Sequence, residues 1–160
     1  MKLTIVTTTY NQEKYIGQTL DSMLIQKTNF DFKIVVSNDN STDRTYEILK
    51  EYQKKYPSKI EIINNEINLG AMKNFVHTLS LIKDSEYVAL CDGDDFWTDE
   101  NKLQKQVDFL DNNNDFNICF HKSRLFYQNG EKEDRIIPQN IEEITTMKDL
   151  VKQNYIVANS

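Results

Sequence analysis

Residues 86–97 read "EYVALCDGDDFW", a short apolar run that leads directly into three aspartates and the only tryptophan of the chain. The apolar run has the length and composition of a buried strand. Asp92, Asp94 and Asp95 follow it so closely that each carboxylate disfavours ionisation of its neighbours. The stretch therefore raises two questions: which sheet the strand belongs to, and what the acidic cluster binds.

Three further apolar runs precede this one, and helical periodicity separates them. Strands are predicted at residues 3–9, 32–37, 59–64 and 86–91, with Ser41 or Thr42 as the N-cap of the second helix. This strand–helix alternation, with continuous apolar strands, predicts an α/β fold in which helices cover both faces of a mostly parallel sheet. The apolar residues at helical spacing are Ile16, Leu20, Met23 and Leu24, then Ile48, Leu49 and Tyr52, and then Met72, Phe75, Val76 and Leu79.

A polar cluster follows each of the four predicted strands. The clusters read "TTYN", "NDNSTD", "NNEINLG" and "DGDD" in chain order. Parallel α/β sheets bind ligands outside the carboxyl ends of their strands. We therefore expect the four clusters to converge on one site.

Composition excludes several classes of protein. The 160 residues are enough for one domain, and the net charge of −6 comes without a sustained basic run, which argues against a general nucleic-acid binder. No run approaches the roughly 20 apolar residues that a membrane-spanning helix needs. Cys91 and Cys119 lack a C-x-x-C spacing, which indicates reduced core thiols in a cytosolic protein.

The pattern changes after the acidic stretch. Residues 101–113 predict a helix with Leu103, Val107 and Leu110 facing inward. Residues 116–130 predict a strand or hairpin strand that ends in the Asn129-Gly130 turn, and a last helix follows with Thr145 or Thr146 as its cap. No linker interrupts the chain, so a single domain over residues 1–160 is expected.

The D-x-D spacing of Asp92 and Asp94 allows two carboxylates to face one hard cation, which prefers oxygen ligands. Gly93 between them allows an unusual backbone conformation or a close approach. A solvated acidic turn is the alternative reading of this motif taken alone. An EF-hand is excluded, because its twelfth position would be Leu103.

Other strand-end residues are candidates for contacts to a ligand. Asp39 can accept hydrogen bonds from N–H groups of a ligand, whereas Ser41 and Asp43 are equally suited to helix capping. Tyr10 can stack on a base or take part in ordinary packing. Lys73 can meet a phosphate or a base, with a solvated lysine as the alternative.

Taken together, "TTYNQEKYIGQTLDSMLIQ", "IVVSNDNSTDRT", "NLGAMKNF" and "LCDGDDFW" resemble the nucleotide-sugar-binding half of a family 2 glycosyltransferase with the GT-A fold, a Rossmann-like α/β architecture. The resemblance covers residues 1–112, and residues 113–160 would begin the acceptor half. It implies inverting transfer of a sugar from a nucleotide-sugar, usually a UDP-sugar, to a glycan or lipid-linked acceptor in surface polysaccharide synthesis. The implied cofactor is Mn²⁺ or Mg²⁺.

The resemblance also implies roles for individual residues. Asp94 is the main metal ligand, with Asp92 near the metal and the ribose, and Asp95 is the catalytic-site residue close to the transferred sugar. Lys73 stands at a position often held by arginine. The expected nucleotide-binding residues are Thr9, Tyr10, Asn11, Asp39, Asn68, Gly70, Lys73 and Asp92.

The sequence departs from the family pattern in two places. Asn38 and Asn40 replace a more usual Asp and Gly, although Asp39 is retained. An acidic motif suited to the catalytic base is not found, since Glu133 and Asp134 come too early. The base is therefore expected beyond residue 160, in a chain that is truncated at its C-terminus.

The sequence also leaves two alternative functions open and suggests a cellular location. The chain could be a binding module that holds a nucleotide-sugar and metal without transfer. A receiver-like phosphoacceptor domain would need an aspartate after the third strand, where the sequence reads "NNEINLG". The expected location is cytoplasmic, with peripheral association at the inner face of the membrane left open, as is the oligomeric state.

Overall fold

A computed structural model describes residues 1–127, 133–139, 142 and 144–152. Strands β1 to β4 form one parallel sheet in the order β3-β2-β1-β4, which confirms the predicted α/β class. The elements in chain order are β1 (Leu3–Thr9), α1 (Ile16–Leu24), β2 (Phe32–Asn38), α2 (Thr45–Lys55), β3 (Ile60–Asn64), α3 (Ala71–Leu81), β4 (Tyr87–Leu90), α4 (Lys102–Asn112), β5 (Ser123–Leu125), β6 (Arg135–Ile137) and α5 (Met147–Lys152).

Helices cover both faces of the sheet. On one face, Ile5 and Ile34 of the central strands join a core with side chains from α1, α2 and α4. On the other face, α3 packs over β1 and β2, where Ser37 Oγ donates a hydrogen bond to Asn74 Oδ1 at 2.6 Å. The predicted inward residues that the structure buries completely or nearly so are Ile16, Leu20, Met23, Leu49, Leu103 and Val107.

The buried face of α3 differs from the prediction. Met72 and Val76, predicted to face inward, are 73% and 57% exposed. Asn74 and Thr78 are the buried residues of this helix, and Thr78 Oγ1 donates to the Asn74 carbonyl at 2.7 Å. A polar helix face can be buried when its polar groups are hydrogen-bonded. A prediction based on the spacing of apolar residues does not detect such a face.

The start of α2 also differs, because neither Ser41 nor Thr42 caps it. The helix begins at Thr45, whose N–H donates to Asp43 Oδ1 at 2.9 Å. Ser41 Oγ instead accepts the Asn11 N–H at 3.0 Å, and the Thr42 N–H donates to Asn11 Oδ1 at 2.8 Å. The two predicted cap residues therefore tie the loop after β2 to the loop after β1.

The described residues after α4 form a small second layer. Strands β5 and β6 pair in antiparallel fashion, with an ion pair between Arg124 and Asp134. The Asn129-Gly130 turn lies outside the described residues. Thr146 precedes α5 as predicted, and its Oγ1 and N–H both donate to Asp149 Oδ2, at 2.6 and 3.0 Å. Within the described ranges, the helices are all too short or too polar to cross a membrane.

Both cysteines are free thiols, but only one of them lies in the core. Cys91 is 1% exposed, and burial raises the pKa of its thiol. Cys119 is half-buried, so its prediction as a core residue was wrong.

Candidate functional site

The polar clusters at the four strand ends meet, as the sequence predicts. Thr9 of β1 lies beside Asn38 of β2, and Asn38 lies beside Asn64 of β3 in the register of the sheet. The loop after β4 joins them, since the Gly93 N–H donates to the Thr8 carbonyl at 3.1 Å. The candidate site is thus a continuous edge built from four loops.

Asp39 is a buried carboxylate held by N–H donors of the protein itself. It is 2% exposed. Its Oδ1 accepts from Asn65 Nδ2 at 2.8 Å and from the Leu69 N–H at 2.9 Å, and its Oδ2 accepts from the Gly70 N–H at 2.8 Å. Asn68 Nδ2 donates to its carbonyl at 3.0 Å. Gly70 has a φ of 81°, which a side chain would disfavour, so the turn into α3 is fixed around this carboxylate.

Two asparagines outside the predicted set of site residues support Asp39. Asn74 is 1% exposed and Asn65 is 8% exposed. Asn74 Oδ1 accepts from Ser37 Oγ at 2.6 Å and from Asn65 Nδ2 at 2.9 Å. The amide of Asn65 therefore bridges Asn74 and Asp39. This buried network ties β2, the loop after β3 and α3 together, and fully bonded networks of this kind rigidify a site.

Gly93 brings the D-x-D loop into close contact with the end of β1. A Cβ at this position would lie 2.8 Å from Thr9 Cβ and 2.3 Å from Gln12 Oε1. Thr9 Oγ1 itself donates to Gln12 Oε1 at 2.7 Å. The Gly93 carbonyl accepts from Thr19 Oγ1 of α1 at 2.9 Å. Of the two reasons for glycine considered from sequence, close approach is the one that applies.

The three aspartates occupy different environments. Asp94 is exposed, whereas Asp92 and Asp95 are half-buried. The Asp95 N–H donates to the Asp92 carbonyl at 3.0 Å, which folds the stretch into a turn. Burial, together with the smaller effect of the neighbouring Asp94 and Asp92 carboxylates, raises the pKa of the Asp95 carboxyl to about 6. A bound cation would relieve this repulsion.

The oxygen ligands of this turn suit a hard divalent cation that is also coordinated by the phosphates of a bound substrate. In the described part of the chain, groups of three or more His, Cys, Asp or Glu arranged to hold a metal are absent. The turn carries two carboxylates in D-x-D spacing, Asp92 and Asp94. Mg²⁺ is commonly bound by one or two carboxylates together with substrate phosphates. The arrangement therefore suits Mg²⁺ or Mn²⁺ carried with a diphosphate.

The remaining predicted nucleotide-binding residues lie in the loop after β1 and in the first turn of α3. Tyr10 is 46% exposed, so its ring is open to a ligand. Asn11 has a φ of 52° and uses its side chain to hold the loop after β2. Lys73 is exposed in the first turn of α3.

A cavity of ≈ 870 Å³ adjoins the acidic turn, between residues 94–99, α4 and the segment 119–126. Lys102 of α4 lines it and is 7% exposed. Its Nζ lies 4.1 Å from the centroid of the Trp97 ring and donates to Gln106 Oε1 at 2.9 Å. Burial lowers the pKa of Lys102 to about 8. Sequence reasoning missed this residue, because nothing local distinguishes it from a solvated helix lysine.

The fold is that of a GT-A domain, in which helices flank a mostly parallel sheet and the loops after its strands meet at one edge. The chain belongs to glycosyl transferase family 2, since the model of that family matches residues 4–156. The predicted family and fold are thereby confirmed.

Individual proteins and solved structures are also similar to this chain. An uncharacterized protein of Mycobacterium tuberculosis, Rv1520, is 39% identical over 158 residues, which are 99% of this chain and 45% of that protein. The structure of S. aureus TarS 1-349 in complex with UDP has a TM-score of 0.62 and 31% identity, over 71% of this chain and 33% of TarS. The mannosyltransferase PcManGT of Pyrobaculum calidifontis, in complex with GDP-Man and Mn²⁺, shares the fold at a TM-score of 0.61 and 22% identity, over 68% of this chain and 32% of that one. The chain thus spans less than half the length of these proteins.

Proposed function

We propose that this chain is the donor-binding part of a metal-dependent, inverting glycosyltransferase that acts in surface polysaccharide synthesis. Its donor is a nucleotide-sugar, with a UDP-sugar expected, and its acceptor is a glycan or a lipid-linked sugar. One observation carries the proposal: Gly93 packs the Asp92–Asp94 turn directly against the end of β1, next to β2, which is followed by the buried Asp39. The carboxylate pair after β4 and the Asp39 carboxylate after β2 therefore follow the two strands that flank β1 in the sheet.

The nucleotide is assigned to the edge formed by the loops after β1 and β2 and by the start of α3. Tyr10 stacks on the base, and Lys73 supplies a positive charge near the nucleotide. Asp39 accepts a hydrogen bond from the base, while the loops around it are fixed by the contacts described above. The full set is Thr9, Tyr10, Asn11, Asp39, Asn68, Gly70, Lys73 and Asp92.

Asp94 and Asp92 are assigned to Mn²⁺ or Mg²⁺ on the diphosphate. The ion supplies neutralisation of the negative charge that develops on the leaving diphosphate. Asp95 faces the transferred sugar. Because Asp95 is half-buried and has a raised pKa, its charge state depends on what is bound beside it.

The reaction exchanges one bond at the anomeric carbon for another. The acceptor hydroxyl oxygen forms the new bond, and the bond to the diphosphate oxygen breaks with its electron pair leaving on the diphosphate. Attack from the opposite face inverts the configuration. A carboxylate base takes the hydroxyl proton, and we assign no residue of this chain to that base.

The donor proposal is tested by calorimetric titration of the chain with UDP, with and without Mn²⁺. We expect Mn²⁺ to strengthen UDP binding, and Asp94→Ala to remove that gain. Asp115→Ala is the matched control, because Asp115 is an exposed aspartate beyond the acidic turn. Unchanged Mn²⁺-dependent affinity in Asp94→Ala would show that the metal assignment is wrong.

Transfer is tested separately, by UDP release from UDP-sugars with a panel of glycan and lipid-linked acceptors. Binding without any UDP release would favour the binding-module alternative for this chain. The proposed location is the cytoplasm, with peripheral association at the inner face of the membrane for a lipid-linked acceptor.

A further inference from the structure

Lys102 places a positive charge inside the protein, and no acidic side chain among the described residues pairs with it. The residue is 7% exposed, and the acceptor of its Nζ hydrogen bond is the neutral Gln106 side chain at 2.9 Å. Its other contact is the face of the Trp97 ring, with 4.1 Å between Nζ and the ring centroid. Among the residues that the structure describes, the ion pairs within 4.0 Å do not include Lys102. Buried charges in proteins are usually paired.

A second buried donor lines the same cavity. Trp97 is 4% exposed, and within the described ranges its Nε1 has no hydrogen-bond partner. An unsatisfied buried donor costs free energy, which an acceptor entering the cavity would recover. Oxygen atoms of a ligand could therefore accept hydrogen bonds from both Lys102 Nζ and Trp97 Nε1.

His121 also lines the cavity and has a buried acceptor atom rather than a buried donor. Its Nδ1 lies 2.9 Å from the Lys122 carbonyl, so Nδ1 carries the proton and Nε2 is an acceptor. In the described part of the chain, Nε2 is buried without a hydrogen-bond partner. Burial lowers the pKa of His121, which keeps this nitrogen unprotonated. A hydroxyl group of a ligand would satisfy it.

The acids of the cavity do not supply the missing negative charge. Asp99 pairs with Lys105 at 2.7 Å, and Asp134 pairs with Arg124. The two other acids in the lining are Asp94 and Asp95, which are assigned above to the metal and the donor sugar. The charge on Lys102 is left for a ligand.

We propose that this cavity binds the acceptor substrate through an anionic group, a phosphate or a carboxylate, that accepts hydrogen bonds from Lys102 Nζ and Trp97 Nε1. A neighbouring hydroxyl of the same substrate donates to His121 Nε2. The volume of ≈ 870 Å³ is in the range of small-molecule sites. The edge-to-face pair of Phe96 and Phe126, with ring centroids 5.8 Å apart, gives part of the lining an apolar surface for the body of a sugar or polyol. The identification of this ligand as the acceptor rests on the proposed function.

The fluorescence of Trp97 offers a direct test, because it is the only tryptophan in the chain. The 160-residue chain is titrated with glycerol 3-phosphate, with glycerate as the carboxylate probe, and with glycerol as the uncharged control. We expect a saturable change in emission with at least one of the anions and none with glycerol at the same concentration. No response to either anion, or an equal response to glycerol, would overturn the proposal.

Three variants test whether anion binding depends on the buried charge of Lys102. Lys102→Met should weaken anion binding at least tenfold, Lys102→Arg should keep most of it, and the exposed Lys83→Met should leave it unchanged. A circular dichroism melt of each variant shows that it is folded. Equal binding by Lys102→Met and the parent chain would refute the assignment.

Competition distinguishes the acceptor from the diphosphate of the donor. The anion should still bind in the presence of saturating UDP and Mn²⁺, and displacement would show that the group belongs to the donor instead. The calorimetric UDP titration is independent of this result. Failure of UDP to bind, with anion binding intact, would contradict the donor proposal while leaving an anion site in the cavity.

Discussion

Replacing Lys102 by methionine should make the protein more stable at neutral pH. Burial lowers the pKa of Lys102 from 10.5, the value for an unburied lysine, to about 8 in the folded protein. Below pH ~8 the lysine is charged in both states, and the folded state carries the full cost of burying the charge. Above pH ~10.5 it is neutral in both states, and that cost is gone.

The size of the effect follows from the two pKa values. The difference between them corresponds to about 3 kcal/mol, by which the buried charge lowers the free energy of unfolding at neutral pH. Methionine keeps an unbranched chain against Trp97, but it loses the hydrogen bond from Nζ to Gln106, which is worth about 1 kcal/mol. The expected net gain for Lys102→Met is about 2 kcal/mol near pH 7.

Urea unfolding of the parent chain and Lys102→Met, followed by circular dichroism at several pH values between about 7 and 10, measures this difference. Groups distant from position 102 titrate equally in both proteins, so the difference reports on Lys102 and on the side chains that its charge affects, which are His121, Cys119 and Cys91. Because the parent chain gains stability as the buried lysine loses its proton, the advantage of the variant should fall to about zero near pH 10. A difference that stays constant with pH, or a less stable variant at pH 7, would refute the reasoning that the buried charge is unpaired.

Two further substitutions test the framework of the site. Gly93→Ala should destabilise the chain by about 2 kcal/mol, because its Cβ has no room beside the end of β1, and it should weaken Mn²⁺-dependent UDP binding. Urea unfolding and calorimetry measure the two effects, and a variant with parent-like values for both would contradict the close approach. Asp39→Asn should cost about 2 kcal/mol, since an amide cannot accept all three N–H groups now bonded to the carboxylate. Asp31→Asn, an exposed control, should change unfolding by less than about 0.5 kcal/mol, and an equal effect of both substitutions would argue against the network.

The order and pairing of the elements could be predicted because they depend on local patterns. Each parallel strand is an apolar run, each helix has apolar residues at helical spacing, and the site lies where the strands end. The convergence of the four loops follows from parallel topology alone. The alternation of strands and helices was therefore sufficient to place the candidate site.

The missed features depend on partners that are distant in the sequence. Asn74 is buried in α3 because it meets Ser37, 37 residues away. Ser41 is occupied by Asn11, 30 residues away, so it is not free to cap α2. No local pattern carries this information, because these residue types are more often found exposed or at helix ends.

Lys102 is the clearest case of this limit. It lies on the same helix as Lys105, three positions away, and the two have the same residue type and similar polar neighbours. Lys105 is exposed and paired with Asp99, whereas Lys102 is buried against Trp97. The difference arises from the packing of α4 on the strand-end loop, which only the three-dimensional structure specifies.

The contacts of Asp39 limit the nucleobases that the proposed site can accept. A carboxylate has about four lone-pair positions, and the described donors occupy three of them, two on Oδ1 and one on Oδ2. The remaining position on Oδ2 can accept one more N–H without displacing a protein donor. A base that presents a ring N–H, as uracil does, satisfies it, whereas cytosine presents a ring nitrogen lone pair that would face a buried negative charge. In the proposed role of Asp39 as the base-binding carboxylate, the hydrogen bonds that fix the turn into α3 would therefore favour UDP over CDP.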